Sequence, residues 1–216
     1  MTMTIVIGNK NYSSWSMRPW LVLDHFGLPY AEVLIPLDLP ETRPSILKHS
    51  PAGKVPILID GHVPVWDSMA IIEYLAERHP EAAVWPADRT ARARARSIAM
   101  EMHSGFPAAR YHLPMNLKAV KPFAPRGGAE VERDIARFEA IVLDALETSG
   151  GPFLFGEWCA ADAMYAPMTA RLTGYSWPMA DTTRRYVEAV QGEASYRRWR
   201  DAGIAEPWAH AHADAA

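Results

Sequence analysis

The fold is decided by Gly53-Lys54-Val55-Pro56-Ile57-Leu58-Ile59-Asp60 and, shortly after it, by Asp67-Ser68-Met69-Ala70-Ile71-Ile72-Glu73-Tyr74-Leu75. The first stretch predicts a strand opened by a proline, at a position where no ladder donor is needed. The Val55-Pro56 bond is also a usual place for a cis peptide. A cis bond would turn the backbone groups of Val55 outward, where an extended ligand can pair with them like an added strand.

The second stretch predicts an amphipathic helix that begins at Ser68 and ends at Arg78-His79-Pro80. Its apolar residues recur at helical spacing: Ile71, Ile72, Leu75 and Ala76. The unpaired amides at the start of such a helix, together with the Ser68 hydroxyl, form a site for a carboxylate. Asp67 beside them could hold an ammonium group. The combination favours an amino-acid zwitterion bound next to a peptide-like strand.

These residues carry a resemblance to a known family. Val55-Pro56 followed by Asp67-Ser68 and Ala70-Ile71 resembles the glutathione-binding core of the glutathione S-transferase superfamily. The resemblance implies that the Val-Pro bond is cis and that Val55 pairs with the cysteinyl part of glutathione. It also implies that Asp67-Ser68 hold the γ-glutamyl end.

Two basic residues near this core are candidates for the glycyl carboxylate of glutathione. Lys54 lies beside Val55 and could reach that group, although a solvated lysine is an equal reading. His49 is a weaker candidate for the same role.

The first 80 residues predict a strand, a helix, a strand, a loop, a hairpin and a helix. The first strand is Thr4 to Gly8, the first helix runs from about Trp15 to Gly27, and the second strand is Tyr30 to Ile35. A short helix is expected near Ser45 to Lys48, and Asp60-Gly61 is a strong hairpin turn. The order βαβ, loop, ββα is a thioredoxin-like layout. Such a fold does not fix the function by itself.

Strand signals vanish after a linker-like stretch at residues 81–90. The fold class is therefore α/β plus all-α, with a thioredoxin-like domain at 1–80 and a helical bundle domain at 91–216. Pro107 is expected to kink one long helix, and the tail after Pro207 is expected to fray. Asp162 fits a capped helix start and is interpreted as structural. Further helices are expected at about 131–146, 161–174, 182–191 and 195–202.

The loop Asn11 to Arg18 contains the candidates for thiol activation. A free thiol ionises near a pKa of about 8.5, so a donor beside sulfur at a helix N-terminus favours the thiolate. The loop resembles the Ser-Ser-x-Ser-x-Arg motif of the zeta class and related bacterial transferases. On that resemblance Ser13 stabilises the thiolate, with Ser14 as the alternative and Tyr12 as a third candidate. Both serines also fit a helix cap, so one can cap while the other faces sulfur.

Two residues of this loop carry further expectations. Trp15 stands where the zeta motif has a cysteine, which disfavours a cis–trans isomerase and a mixed-disulfide mechanism. Arg18 is expected to pair with an acid inside the fold.

The electrophile is expected in a cleft between the two domains, where small-molecule sites tend to form. The candidate lining residues lie on the kinked helix: Met102, His103, Phe106, Arg110 and Tyr111. A methionine and aromatic stripe also fits a hydrophobic core. A cation at Arg110 would favour an acidic or polar electrophile.

Composition narrows the classes of function. The chain has 216 residues, of which 49% are hydrophobic and 22% charged, and its net charge is −3, so neither nucleic acid nor a membrane surface is indicated. The single cysteine, Cys159, excludes an internal disulfide and a cysteine-rich metal site. Met1 to Gly8 lacks a signal-peptide pattern, and no apolar run reaches about 20 residues. We therefore expect a cytoplasmic protein without a metal.

The resemblance implies a glutathione S-transferase that activates glutathione, its co-substrate, for attack on a small electrophile, in detoxification. Two alternatives stay open. One is a zeta-like glutathione-dependent cis–trans isomerase of the maleylacetoacetate type, or a dehalogenase. The other is a non-catalytic ligand-binding protein with the same fold. The family resemblance also implies a homodimer.

Overall fold

The computed structural model describes residues 2–216, so residue 1, where the expected first domain begins, lies outside the described part. The strands are β1 (Met3–Ile7), β2 (Tyr30–Leu34), β3 (Ile57–Asp60) and β4 (Val63–Trp66). The helices are α1 (Ser14–His25), α2 (Thr42–Leu47), α3 (Ser68–Arg78), α4 (Arg89–Ser104), α5 (Pro107–His112), α6 (Gly128–Ser149), α7 (Ala160–Gly174), α8 (Asp181–Gly192), α9 (Ala194–Ala205) and α10 (Ala211–Ala215). A short 3-10 helix spans Pro80–Ala82.

The four strands form one mixed sheet in the order β2-β1-β3-β4. β1 is parallel to β2 and antiparallel to β3, and Ile5 pairs with Leu58. Both side chains are completely buried, because the strands are apolar enough to be covered on both faces. The predicted βαβ–ββα layout of a thioredoxin-like domain is confirmed.

Residues 53–60 and the helix that follows them fold as predicted. The Val55-Pro56 bond is cis, and β3 begins at the next residue. The hairpin to β4 turns at Gly61, whose φ of 60° lies in the left-handed region that glycine adopts freely. α3 begins at Ser68 and ends at Arg78, the predicted bounds.

The residues after the sheet form a helical domain around α7. Nearly every residue of α7 is buried, which is the mark of a helix surrounded by protein on all sides. It packs against α1 of the first domain and against α4 of its own domain. The predicted helical C-terminal domain is confirmed, whereas the boundaries at residues 80 and 91 stay predictions.

The long kinked helix through Pro107 was a wrong prediction. α4 ends at Ser104, and Phe106 then adopts a left-handed φ of 61°. Pro107 is the first residue of a separate helix, α5. A proline fits the first position of a helix because its missing N–H would have no partner there. The chain therefore breaks at this point instead of bending.

The C-terminal tail is also better ordered than its composition predicts. Residues 211–215 form α10, and the Asp214 carboxylate accepts hydrogen bonds from Tyr12 Oη at 2.9 Å and Asn116 Nδ2 at 2.8 Å. His210 Nε2 lies 3.0 Å from an Asp38 carboxylate oxygen. These polar contacts, to Tyr12 and Asp38 of the first domain and to Asn116 of the helical domain, hold a segment that has little apolar surface of its own. Within residues 2–216, no helix has the length and apolarity needed to cross a membrane.

Candidate active site

A pocket of about 320 Å³ opens between the start of β3 and the N-terminus of α3. This volume lies at the lower end of the range of small-molecule sites. Four residues predicted to bind glutathione come together in its wall: Lys54, Val55, Asp67 and Ser68. The remaining lining residues are Trp15, Ala52, Pro56 and Trp66.

The N-terminus of α3 is prepared for an anion. Asp67, with a φ of 75°, caps the helix by accepting a hydrogen bond from Met69 N at 2.8 Å. Ser68 is 1% exposed, and its buried Oγ has no hydrogen-bond partner among residues 2–216. Buried hydroxyl groups are ordinarily paired. An unpaired one in a pocket wall, beside free helix amides, is a feature of a site that binds an acceptor.

The helical domain reaches the same site through His103 of α4. Its Nε2 lies 2.9 Å from Asp67 Oδ1 and 2.8 Å from Oδ2. The Trp15 ring meets the His103 ring edge-on, with centroids 5.2 Å apart. Asp67 therefore serves the helix cap and His103 at once, and its carboxylate is held in one orientation.

The two candidate serines make different contacts. Ser13 caps α1, because its Oγ accepts from Ser16 N at 3.3 Å, and it donates to Ser16 Oγ at 2.8 Å. Ser14 Oγ accepts from Arg171 Nη2 of α7 at 3.2 Å. Both serines are 6% exposed. The expected cap is thus present at Ser13, and the hydroxyl hydrogen of Ser14 has no acceptor among residues 2–216.

The two weaker candidates have contacts of their own. Tyr12 Oη bonds the Asp214 carboxylate and the Trp208 carbonyl, so its hydroxyl is occupied by the C-terminal segment. Burial raises the pKa of Tyr12, and the hydrogen bond to Asp214 raises it further. His49 is half-buried and does not line the pocket, whereas Lys54 does.

The residues expected to line an electrophile cleft do not line this pocket. Met102 and Phe106 are 1% and 4% exposed and belong to the hydrophobic core. Arg110 donates to the Gly105 carbonyl at 2.9 Å and to the Met102 carbonyl. Tyr111 is 65% exposed and stacks at a tilt on His212 of α10. Their role toward an electrophile stays a prediction.

Trp15 is a pocket residue that the sequence analysis noted only as a departure from the zeta motif and did not assign to the site. It is 36% exposed, and it lines the pocket. Its ring centroid lies 4.2 Å from Arg18 Cζ and 5.0 Å from Arg110 Cζ, within cation–π range. A large aromatic residue inside the predicted thiol-activating loop was the available signal.

The prediction that Arg18 pairs with an internal acid is wrong. Arg18 is fully buried, and none of its three side-chain nitrogens has a hydrogen-bond partner among residues 2–216. Burial and the neighbouring Arg110 and Arg171 lower its pKa well below the usual value, with Asp67 acting in the opposite direction. Asp67 attracts Arg18 only from beyond ion-pair distance, so the expected salt bridge does not form within residues 2–216.

Comparisons with known proteins bear on this geometry. Residues 12–78 match the family model for the N-terminal domain of glutathione S-transferases. A probable maleylacetoacetate isomerase of Caenorhabditis elegans is 42% identical over 98 residues, 44% of each chain. A zeta-class glutathione S-transferase of Euphorbia esula is 43% identical over 77 residues, 35% of this chain and 34% of the relative. The chain thus covers less than half the length of these two relatives.

Solved structures extend the likeness over nearly the whole chain. A glutathione transferase homolog from Burkholderia, crystallised with bound glutathione, has a TM-score of 0.74 and 25% identity. The match covers 94% of this chain and 98% of that one. The matched N-terminal family model, the zeta-class relatives and this shared two-domain fold agree. The chain belongs to the glutathione S-transferase superfamily, and its N-terminal part is similar to the zeta class.

Proposed function

We propose that this protein is a glutathione transferase that binds glutathione in the 320 Å³ pocket and activates its thiol for attack on a small electrophile. One observation carries the proposal. Ser68 Oγ is buried and unpaired in the pocket wall at the N-terminus of α3, directly beside the Asp67 carboxylate. The Ser68 hydroxyl can donate to a carboxylate, and the Asp67 carboxylate beside it can bind an ammonium group. Together they fit the zwitterionic γ-glutamyl end of glutathione.

The other parts of glutathione follow from this placement. The γ-glutamyl carboxylate binds the α3 amides and Ser68, and its ammonium binds Asp67. The backbone of Val55 pairs with the cysteinyl unit, as an added strand pairs with a sheet edge. Lys54, in the same wall, binds the glycyl carboxylate.

The thiol then lies toward the start of α1, where the Ser13 and Ser14 hydroxyls are. A hydroxyl that donates to sulfur stabilises the thiolate and lowers the pKa of the thiol. Ser13 is the choice made by the motif resemblance. The contacts of Ser14 favour it, since Arg171 already supplies the hydrogen bond that its Oγ accepts. We assign the role to this pair, and single alanine variants distinguish the two.

Further parts of the proposal rest on the family likeness. We propose a homodimer, a cytoplasmic location and a role in detoxification. We propose no metal, and within residues 2–216 no three His, Cys, Asp or Glu residues are grouped to hold one. Sedimentation velocity tests the dimer directly, and a single species of monomer mass at micromolar concentration would contradict it.

Calorimetric titration with glutathione tests the binding site. Ser68→Ala removes a hydroxyl that has no hydrogen-bond partner among residues 2–216, so its loss of affinity reports on the ligand alone. We expect about tenfold weaker binding, the equivalent of one hydrogen bond of about 1.4 kcal/mol. Asp67→Asn keeps a residue that tolerates a positive φ and caps helices, and it removes the charge that holds the ammonium.

The matched control is Ser97→Ala, because Ser97 is an exposed serine of α4 whose hydroxyl donates to the Ala93 carbonyl at 3.0 Å. It should bind glutathione like the wild type. Wild-type affinity in both Ser68→Ala and Asp67→Asn would contradict the proposed placement of glutathione.

A glutathione-dependent cis–trans isomerase is the second candidate, because a probable maleylacetoacetate isomerase is 42% identical over 98 residues. Trp15, in place of the cysteine of the zeta motif, weighs against it. The two functions separate by assay: isomerisation of a maleyl substrate regenerates glutathione, whereas transfer consumes it. Rapid glutathione-dependent isomerisation without conjugate formation would favour the isomerase.

A further inference from the structure

Three arginines from three helices meet beside the pocket wall. Arg18 of α1, Arg110 of α5 and Arg171 of α7 are called the arginine cluster below. The Trp15 ring lies 4.2 Å from Arg18 Cζ and 5.0 Å from Arg110 Cζ, while Arg171 bonds Ser14, the next residue to Trp15. Because Trp15 also lines the pocket, its side chain lies between the pocket and two members of the cluster, Arg18 and Arg110.

The arginine cluster has no counter-charge in contact with it. Among residues 2–216, no carboxylate oxygen lies within 4.0 Å of a nitrogen of these three side chains. Within the described part of the chain, the Arg18 guanidinium has no hydrogen-bond partner, and Arg171 Nε has none either. Asp67 and Asp134 attract Arg18 and Arg110 only from a greater distance.

Such an arrangement is unfavourable for the protein alone. Burial lowers the pKa of Arg110, and burial together with the repulsion of Arg110 lowers the pKa of Arg171 to about 9. Removing a cation from water without a partner is strongly unfavourable, as it is when a buried ion pair loses one member. A bound anion would remove this cost, because it would supply both the missing acceptor and the missing charge.

We propose that the arginine cluster binds a carboxylate of the electrophile, which reaches it when the Trp15 side chain turns away from Arg18. This proposal rests on the proposed transferase function. A planar carboxylate matches the guanidinium fork and can accept two parallel hydrogen bonds from it. Trp15 is partly exposed at the pocket and contacts both Arg18 and Arg110, so a rotation of its side chain would open these two guanidinium groups to a ligand in the pocket.

The reaction would then place sulfur and the anchored electrophile on the same side of Trp15. With 4-chloro-3-nitrobenzoate as a probe, the glutathione sulfur forms a bond to the ring carbon that carries chlorine. The carbon–chlorine bond breaks, and chloride leaves with the electron pair. The thiol proton is released to solvent, so no oxidant or reductant is needed.

The first experiment compares the unreactive pair 3-nitrobenzoate and 3-nitrobenzamide, which differ in the charge of one group. Each is titrated calorimetrically into wild-type protein, with and without saturating S-methylglutathione. We expect at least about tenfold tighter binding of the benzoate in both conditions. Equal binding overturns the proposal. A preference that disappears with S-methylglutathione assigns the cluster to a carboxylate of glutathione and also overturns it.

The second experiment uses Arg18→Met, with Arg133→Met as the control because Arg133 is an exposed arginine of α6. Arg18→Met should lose about tenfold in affinity for 3-nitrobenzoate and keep its affinity for the amide, whereas the control should match the wild type. If Arg18→Met does not fold, Arg171→Met is tested in its place. A full preference for the benzoate in the folded variant overturns the proposal.

Turnover separates this inference from the proposed function. Rates are corrected for the uncatalysed reaction. If glutathione is conjugated with 4-chloro-3-nitrobenzamide and the benzoate is not preferred, the proposed transferase function is supported and the proposed carboxylate site is contradicted. If neither probe is conjugated, the proposed transferase function is contradicted. In that case the binding comparison without S-methylglutathione still decides whether the cluster takes a carboxylate.

Discussion

Asp162 and Arg18 are both fully buried ionisable residues, and their surroundings differ completely. The Asp162 carboxylate accepts hydrogen bonds from Leu154 N at 3.1 Å, Cys159 N at 3.0 Å and Tyr186 Oη at 3.2 Å. The Arg18 guanidinium is repelled by Arg110 and Arg171 and has no hydrogen-bond partner within residues 2–216.

The difference separates a structural polar group from one that is kept for another reason. A buried group with all its partners fixes the chain around it, here the start of α7 and the loop before it. A buried group without partners weakens the fold, and such groups concentrate where a ligand or a reaction needs them. The predictions below test this contrast.

Asp162→Ala should give the largest effect. The substitution leaves two backbone N–H groups and the Tyr186 hydroxyl buried without an acceptor. We expect the free energy of unfolding at pH 7 to fall by about 3 kcal/mol or more, measured by urea denaturation. A loss below about 1 kcal/mol would mean that the fully paired Asp162 does not stabilise the fold, and the contrast with the unpaired Arg18 would not hold.

The pH dependence of stability gives the next effect. Burial raises the pKa of Asp162 to about 6, above the ordinary value of 3.8. A carboxyl whose pKa is raised by folding stabilises the native state below about pH 4, and this contribution is lost as the pH rises through about 6. At about 1.4 kcal/mol per pH unit, the loss is about 2–3 kcal/mol.

Asp162→Asn is the reference for that measurement, because it keeps the shape and one acceptor but does not titrate. The free energy of unfolding of the wild type relative to Asp162→Asn should fall between pH 4 and pH 6. A difference that stays constant, or that rises with pH, would contradict the account of Asp162.

Arg18→Met should have the opposite sign. It replaces an unpaired buried cation with an apolar side chain, a change that is neutral or stabilising for buried ions in other proteins. We expect the free energy of unfolding to increase by about 1–2 kcal/mol. A clear destabilisation would mean that Arg18 supports the fold, as Asp162 does.

Arg137→Ala should give the smallest change in the free energy of unfolding. Arg137 forms two hydrogen bonds with the Glu101 carboxylate, at 2.6 and 2.8 Å, on the surface of the helical domain. Exposed ion pairs contribute little, so the expected loss is about 0.5 kcal/mol. A loss as large as that of Asp162→Ala would show that burial does not explain the contrast.

The parts of the site that could be predicted from the sequence rest on local signals. Three signals each act within a few residues of the chain: the proline after Val55, the Asp67-Ser68 pair before a run of apolar residues at helical spacing, and the glycine at the hairpin turn. The structure therefore has the cis bond, the hairpin and the bounds of α3 as expected. The same locality explains why Lys54 and Val55 meet Asp67 and Ser68 in one pocket.

The missed features depend on residues that are distant in the chain. His103 reaches Asp67 across 36 residues, and Arg171 reaches Ser14 across 157. Neither pairing has a local pattern, and the missing partner of Arg18 is a property of three helices packed together. The break at Phe106 was missed because a positive φ at a phenylalanine runs against its backbone preference.

The most direct test of the central claim is the ultraviolet difference spectrum of the glutathione complex as a function of pH, in the wild type, Ser13→Ala and Ser14→Ala. The account predicts thiolate absorbance at neutral pH in the wild type, well below the ordinary thiol pKa of about 8.5, and its loss in one of the two variants. Bound glutathione without thiolate absorbance at neutral pH would contradict it and would favour a non-catalytic ligand-binding protein.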